Sequence, residues 1–383
     1  MLVYLQGSWK EYRKHNMKKI LFVASVNIHF TAFHLPYLKY FHDLGYEVHT
    51  AARGEEEIPY VDVQHKIDIE RSPLAKANLK AYRELKQIIS ESEFDLIHCH
   101  TPVASILTRL AARNARKKGT KVMYTAHGFH FYKGAPLINW LLYYPAERFC
   151  AHFTDALITI NHEDYERAKT FAAKEVYYIP GMGVDCKKVA LEAAQPSRLR
   201  EHYHIPENAF VVLSVGELNQ NKNHRVILEA IHRLFDNDIY YVICGKGDQR
   251  ETLTALAQEY GMDDRLKLVD FQKNIAEWLS IADVFAFPSI REGLPMSLLE
   301  AMAAGLPCVV TNIRGTMDIF GQAQCTSLYK PDDVNRFAEA IKSLKEDSDL
   351  CEKVGAENKA LVLKFDIKNV KGEMQEIYRR VLL

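Results

Sequence analysis

The chain has 383 residues, 48% of them hydrophobic and 26% charged, with 49 basic side chains against 49 acidic ones. That length exceeds one ordinary hydrophobic core and implies two domains. A formal net charge of zero excludes a global field that would collect nucleic acid, so an anionic partner has to be met by a local site. No run of about 18 apolar residues occurs, so no segment is expected to span a membrane. The seven cysteines, at 99, 150, 186, 244, 308, 325 and 351, are scattered, odd in number and free of any C-x-x-C pair. They read as free thiols of a cytoplasmic protein in a reducing compartment.

Residues 1–16 (MLVYLQGSWKEYRKHN) precede the regular pattern and are expected to be an extension outside the fold. MKKILFVASVNIHF, from Met17, has the two lysines and apolar segment of a signal peptide. The apolar run is too short and meets Asn27 and His29, so a buried first strand is the better reading. Strand-like KILFVAS is followed by helical AFHLPYLKYFHDLG and strand YEVHTAA. Helical NLKAYRELKQIISESE, strand FDLIHCH, helical SILTRLAARNARKKG and the strands KVMYTAH, ALITI and EVYYIP complete a first series. The polar stretch 186–208 then carries no strand signal and marks a boundary. A second series opens at FVVLSVG. It runs through helical HRVILEAIHRLF, strand IYYVICG, helical RETLTALAQEYG, LKLVDF, helical IAEWLSIA, DVFAFPS, PCVVT and TSLYK to a last pair of helical stretches from about Val334. Short β-branched runs alternating with periodic helices indicate βαβ units and parallel sheets. The predicted fold is α/β, two doubly wound Rossmann-like domains facing a central cleft. Residues 17–185 form the first, 209–365 the second, and 366–383 a final helix packing back on the first.

REGLPMSLLEAMAAGLP (291–307) places Glu292 and Glu300 eight residues apart across a Gly-Leu-Pro turn. DVFAFPS is a strand, so Glu292 follows its C-terminal end, where such sheets bind ligands. The apolar helix from Met296 then aims its free N–H groups at the same crevice, a ready anion site. Two carboxylates beside such donors suit a polyol joined to an anion, and a nucleotide-sugar is a molecule of that kind.

This segment resembles the E-x7-E motif of retaining glycosyltransferases of family 4, which have the GT-B fold. SVGELNQNKNH resembles that family's phosphate-binding loop, CGKGDQRETL its next strand-turn-helix, and IPGMGVD the end of its N-terminal domain. TAHGFHFYKGAPLINWLLYYPAERF resembles the branch that builds bacterial exopolysaccharide, capsule or O-antigen units. The resemblance implies that Glu300 accepts from the ribose hydroxyls, Glu292 contacts the donor sugar, and Lys222 neutralises the leaving diphosphate. It places Gly293, Leu294, Gly216, Glu217, Asn221 and Phe271 at the donor and has His127 reach the donor sugar across the cleft. Asn27, His29 and His100 are candidates for the acceptor side. Two positions depart from the family. Glu217 stands where an arginine usually shares the diphosphate, leaving more of the load to Lys222, helped by Arg225 or Asn221 unless Arg225 pairs with Glu217. SVNIHFTAF replaces a glycine-rich first loop.

The implied activity is transfer of a sugar from a nucleotide diphosphate, by family frequency a UDP-sugar, to a lipid-linked saccharide at the inner membrane face. No cofactor, no metal and no nucleic acid are expected. A nucleotide-sugar epimerase or hydrolase on the same donor site, or a non-catalytic nucleotide-sugar-binding subunit, are the alternatives. HCH (98–100) and HGFH (127–130) have a metal-like look, but without an acidic ligand a satisfied or substrate-lining role is preferred to zinc. DND (236–238) reads as a turn rather than a metal motif, and GKG (245–247) is not a dinucleotide fingerprint. Asn161 is expected to cap a helix with Asp164 at its third position. PLINWLLYYPAERF (136–149) is either a core helix or an apolar face for a membrane surface, with RLAARNARKKGTK as its basic support.

Overall fold

The structure is a computed structural model and describes residues 17–321 and 323–383, so the expected extension 1–16 lies outside the described residues. It divides into two compact units, one of residues up to 182 together with 371–383, the other of residues 183–370.

The first unit is built on a seven-stranded sheet of β1 (Lys19–Val26), β2 (Glu47–Arg53), β3 (Val63–Lys66), β4 (Leu96–His100), β5 (Lys121–Ala126), β6 (Ala156–Thr159) and β7 (Glu175–Tyr178). The strands lie in the order β3-β2-β1-β4-β5-β6-β7, and every pairing is parallel. Strand β1 is buried over Ile20–Ser25, as the continuous apolar run required of a strand covered on both faces. Leu21, Val23, Leu85, Ile97, Val122 and Tyr124 share one core. The second unit has six parallel strands, β8 (Phe210–Val215), β9 (Ile239–Cys244), β10 (Leu266–Leu268), β11 (Val284–Phe287), β12 (Cys308–Thr311) and β13 (Leu328–Tyr329). Their order is β10-β9-β8-β11-β12-β13, with Val212, Ile227, Tyr241, Ile243 and Phe337 among the core. In each sheet the winding reverses once, between β1 and β4 and between β8 and β11. Those reversals open the crevices where doubly wound sheets hold ligands.

Several elements differ from expectation. The helix expected over 32–45 is two, Ile28–Phe33 and Leu35–Asp43, because the chain turns at His34 and restarts with Pro36 in the first turn. The helix expected over 105–119 is likewise two, Pro102–Ala111 and Arg113–Lys117. Strand β3 was not anticipated, since an edge strand of sequence VQHK lacks the apolar run of its neighbours. The boundary stretch contains two short helices, Cys186–Ala193 and Leu199–His202, both within the second unit. The expected last pair of helices is three, Val334–Glu346, Ser348–Val362 and Ile367–Leu382. Asp347 splits the first two by leaving helical geometry and accepting the Leu350 N–H at 2.9 Å as a new N-cap.

Candidate functional site

In the second unit, the loop after β8 and the helix after β11 meet at the winding reversal. The loop is pressed tightly against the turn after β9. A Cβ on Gly245 would lie 1.8 Å from the Gly216 carbonyl oxygen, and one on Gly247 would lie 2.2 Å from that of Leu218. The GKG glycines therefore serve backbone packing. A Cβ on Gly216 would sit 2.9 Å from Lys222 Cε, so the bare backbone there lets the lysine stem lie across the loop. Lys222 Nζ stands 2.8 Å from Glu292 Oε1 and 5.6 Å over the Phe287 ring. Glu292 Oε1 is buried and has no aligned hydrogen bond, so the contact is an ion pair by proximity alone.

The neighbouring candidates divide. Asn221 Nδ2 donates to the Arg291 carbonyl at 3.0 Å, and the Asn221 carbonyl accepts from Ile290 N–H at 2.8 Å. Asn221 thus braces the turn that carries Glu292. Glu217 is exposed and accepts from Asn219 Nδ2 at 2.9 Å. Arg225 is paired with Glu229 one turn along its own helix, so neither the proposed Arg225–Glu217 pair nor its support of Lys222 is what the structure contains. Phe271 is 65% exposed. Leu294 is buried, and Gly293 is approached so closely by Gly315 that a Cβ there would lie 2.3 Å from the Gly293 oxygen.

The helix Met296–Ala304 begins after Pro295, and no side chain caps it. Its first-turn N–H groups therefore keep their capacity for an acceptor. Leu298, Leu299, Ala301, Met302 and Ala303 are buried, and Gly305, at φ 86°, ends the helix in the left-handed region. Glu300 is half-buried with no polar partner among the described residues. Desolvation pushes its carboxyl up to about 7. Asp236 and Asp238, the DND pair, are instead tied to Lys345.

In the first unit, the loops after β1, β4 and β5 bring histidines together at the other reversal. One nitrogen from each of His29, His34, His100 and His127 lies within 4.8 Å of the others. His29, His100 and His127 were singled out from the sequence; His34 was not. Its only sequence signal is a polar residue at the break in FHLPY. Burial first, then the neighbouring rings, lowers His29 to about 2 and His34 and His100 well below the ordinary imidazole value; burial alone lowers His127 to about 4. All four are neutral at physiological pH. His98 differs, since its Nδ1 meets Tyr378 Oη and its Nε2 meets Thr125 Oγ1, both at 2.8 Å. His130 stacks on Tyr143 with ring centroids 4.5 Å apart. Asn27 is buried, with its Nδ2 donating to the Glu56 carbonyl at 3.3 Å, so it ties the first loop to the 53–56 turn. Thr101, just after His100, has φ 59°, rare for a β-branched residue.

Asn161 Oδ1 accepts the Asp164 N–H at 2.9 Å and caps His162–Ala168. The helix Leu137–Ala151 buries Glu147, Cys150 and Ala151 but leaves Leu137 and Leu141 80% and 71% exposed, so it is not a core helix throughout. The basic stretch is smaller than its sequence suggests. Arg109 is buried against Glu147 and Arg116 is paired with Asp155, leaving Arg113, Lys117 and Lys118 exposed. Among the described residues no helix is long and apolar enough to cross a membrane, and the seven cysteines are free.

Comparison with known proteins agrees with this construction. Residues 197–361 match the family model "Glycosyl transferases group 1", and residues 19–161 match "Glycosyl transferase 4-like". The "Putative glycosyltransferase EpsD" of Bacillus subtilis (strain 168) is 44% identical over 366 residues, covering 94% of this chain and 96% of EpsD. The UDP-Gal:alpha-D-GlcNAc-diphosphoundecaprenol alpha-1,3-galactosyltransferase of Escherichia coli is 30% identical over 281 residues, 70% of this chain and 71% of that one. Among solved structures, HepE of Anabaena in complex with UDP-glucose superposes with a TM-score of 0.77 at 18% identity, covering 94% of this chain and 99% of that one. With its two parallel-sheet units and this likeness along nearly all its length, the chain belongs to the group 1, 4-like glycosyltransferases of the GT-B fold.

Proposed function

We propose that the protein transfers a sugar, with retention of configuration, from a UDP-sugar to a lipid-linked saccharide during assembly of a surface polysaccharide. The observation that carries this reading is the Lys222–Glu292 pair, at 2.8 Å, at the mouth of an uncapped helix that also bears the partnerless Glu300. An arriving diphosphate competes for the lysine ammonium. Glu292 is then released to accept from hydroxyls of the donor sugar. The helix N–H groups take further phosphate oxygens, and Glu300 accepts from the ribose hydroxyls. As the bond from the anomeric carbon to phosphate breaks, Lys222 offsets the charge growing on the leaving group. The acceptor oxygen bonds to the same carbon, and its proton passes to the departing phosphate oxygen, so no protein base is required. The diphosphate charge is met by Lys222 and the helix, and this half-reaction needs no Mg²⁺ or Mn²⁺.

The acceptor class rests on the relative that acts on a diphosphoundecaprenol-linked sugar. A peripheral position on the inner membrane face rests on the exposed Leu137, Ile138, Leu141 and Leu142. Labelled UDP-sugars incubated with the protein and a membrane lipid extract test the reading. Transfer of label to lipid is expected. Isomerised or hydrolysed donor would favour the epimerase or hydrolase, and tight binding without turnover a non-catalytic subunit.

A further inference from the structure

We propose that His29, His34, His100 and His127 together hold one transition-metal ion of the imidazole-preferring kind, zinc foremost.

The four donor nitrogens approach the spacing of a tetrahedral set. Four imidazoles on one ion, at the ordinary Zn–N length of ~2.0–2.1 Å, would place their ligating nitrogens ~3.3–3.4 Å apart. His127 Nε2 and His100 Nδ1 already stand 3.4 Å apart. The remaining nitrogens lie within 4.8 Å of one another, so closing onto an ion needs side-chain rotations of about an ångström and no rearrangement of strands. Ring centroids in such a complex fall about 5 Å apart. Here they are 5.0 Å for His29–His34, 4.8 Å for His29–His127, 5.5 Å for His29–His100 and 5.6 Å for His100–His127. His34–His100, at 3.9 Å, is the tight pair, and His34–His127, at 6.0 Å, the loose one.

The second argument concerns unsatisfied atoms. His29 Nε2 and both nitrogens of His34 are buried without a hydrogen-bond partner, and an ion would take one nitrogen of each ring; His100 Nε2 is also unpartnered, but it is His100 Nδ1 that faces His127. A buried polar group without a partner is costly, and folded proteins rarely gather several in one place without a reason. His98, on the same strand, shows that this neighbourhood can satisfy a histidine completely, with Tyr378 and Thr125. Burial keeps the four rings neutral, so their lone pairs are available without displacing a proton.

The donor set selects the metal class. It contains four imidazoles and no carboxylate. Imidazole suits zinc, copper, nickel and iron, whereas Mg²⁺, Ca²⁺ and Mn²⁺ prefer oxygen ligands. Cys99 does not join, because its Sγ is directed at the Met123 carbonyl 3.2 Å away. His29 and His127 are only half-buried, so an ion can reach the cluster from solvent.

The experiment uses the untagged full chain, since an oligohistidine tag would bind metal itself. Elemental analysis of protein grown with zinc and purified without chelator is expected to give about one zinc per chain. Protein stripped by chelator and titrated with Co²⁺ should develop the visible absorption bands of nitrogen-bound cobalt, saturating at one equivalent. His29→Ala should lower zinc content at least tenfold. This half-buried position tolerates substitution better than His34, and a circular-dichroism melt confirms that the variant is folded. His42→Ala, at an exposed histidine outside the cluster, should leave metal content unchanged. A folded wild-type chain that takes up neither zinc nor cobalt at tenfold excess would overturn the proposal. So would an unchanged zinc content in His29→Ala, or an equal loss in His42→Ala. None of these readouts depends on sugar transfer, so the metal site and the proposed activity can fail separately.

Discussion

Lys222 is held by the Glu292 carboxylate in the structure, and in the proposed reaction the arriving diphosphate competes for it. No arginine stands at position 217 to share the load, since Glu217 is exposed and bonded within its own turn. Removing one well-placed stabiliser of transition-state charge costs about 2.7–4 kcal/mol. Lys222→Ala is therefore expected to lower kcat by about 10²–10³-fold in a donor-saturated transfer assay. A variant with unchanged kcat and donor affinity would mean that the phosphates bind elsewhere. Glu300 is the second informative side chain. Its carboxyl is raised from 4.5 to about 7 by desolvation. Ionising it in the fold thus costs stability. The penalty is absent below 4.5, grows as pH rises to about 7 and is constant above that. Glu300→Gln should stabilise the unliganded protein by an amount on the order of 1–3 kcal/mol at about pH 8, with the gain gone near pH 4.5. In the proposed donor site, where Glu300 accepts from the ribose hydroxyls, the same variant should bind UDP more weakly, because the amide accepts less well. Paired melting curves across this pH range, with and without UDP, check both. A stability difference independent of pH would contradict the assigned burial.

At the scale of elements, the helices Pro102–Ala111 and Leu137–Ala151 are joined by a buried ion pair. Arg109 Nη2 donates to Glu147 Oε2 at 2.6 Å, Tyr124 Oη donates to Glu147 Oε1 at 3.2 Å, and the guanidinium lies 4.2 Å over the Tyr124 ring. Arg109 and Glu147 are both almost fully buried. Breaking such a pair from one side strands a charge and typically costs 3–5 kcal/mol. Glu147→Ala should lower the unfolding free energy by about that much in urea titrations. Arg109→Met combined with Glu147→Leu should recover most of it, because the charges leave together. A loss below about 1 kcal/mol for Glu147→Ala would show that Arg109 finds water.

For the molecule as a whole, the proposed lipid-linked acceptor requires a surface that meets a membrane, since no helix among the described residues is long and apolar enough to cross one. Leu137, Ile138, Leu141, Leu142 and Phe149 stay exposed on one helix, and Arg113, Lys117 and Lys118, nearby in sequence, are exposed as well. Burying one leucine is worth about 1.5–3 kcal/mol. Leu137→Ser combined with Leu141→Ser should therefore reduce partitioning onto anionic vesicles by at least about tenfold. Both side chains face solvent, so melting temperature and UDP affinity should not move. Unchanged co-sedimentation with vesicles would remove this helix as the docking face.

Buried parallel strands must be continuous apolar runs, and β1, β4, β5, β8, β9 and β11 were legible for that reason. The helix Met296–Ala304 was legible from its turn and apolar content, and with it the places of Glu292 and Glu300. Local pattern thus determined the α/β class, the doubly wound series and the donor-side motif. It did not determine β3, whose edge position requires no apolar run, or the helix breaks at His34 and Asp347, which depend on single-residue geometry. Burial and long-range pairing were decided only by the tertiary structure. Lys222 and Glu292 are 70 residues apart in the chain, Arg109 and Glu147 are 38, and His34 and His127 are 93. Periodicity carries no information at such separations. Whether a carboxyl is desolvated to about 7, an arginine is spent inside the core, or four histidines converge is set by which strand ends the sheet order brings side by side.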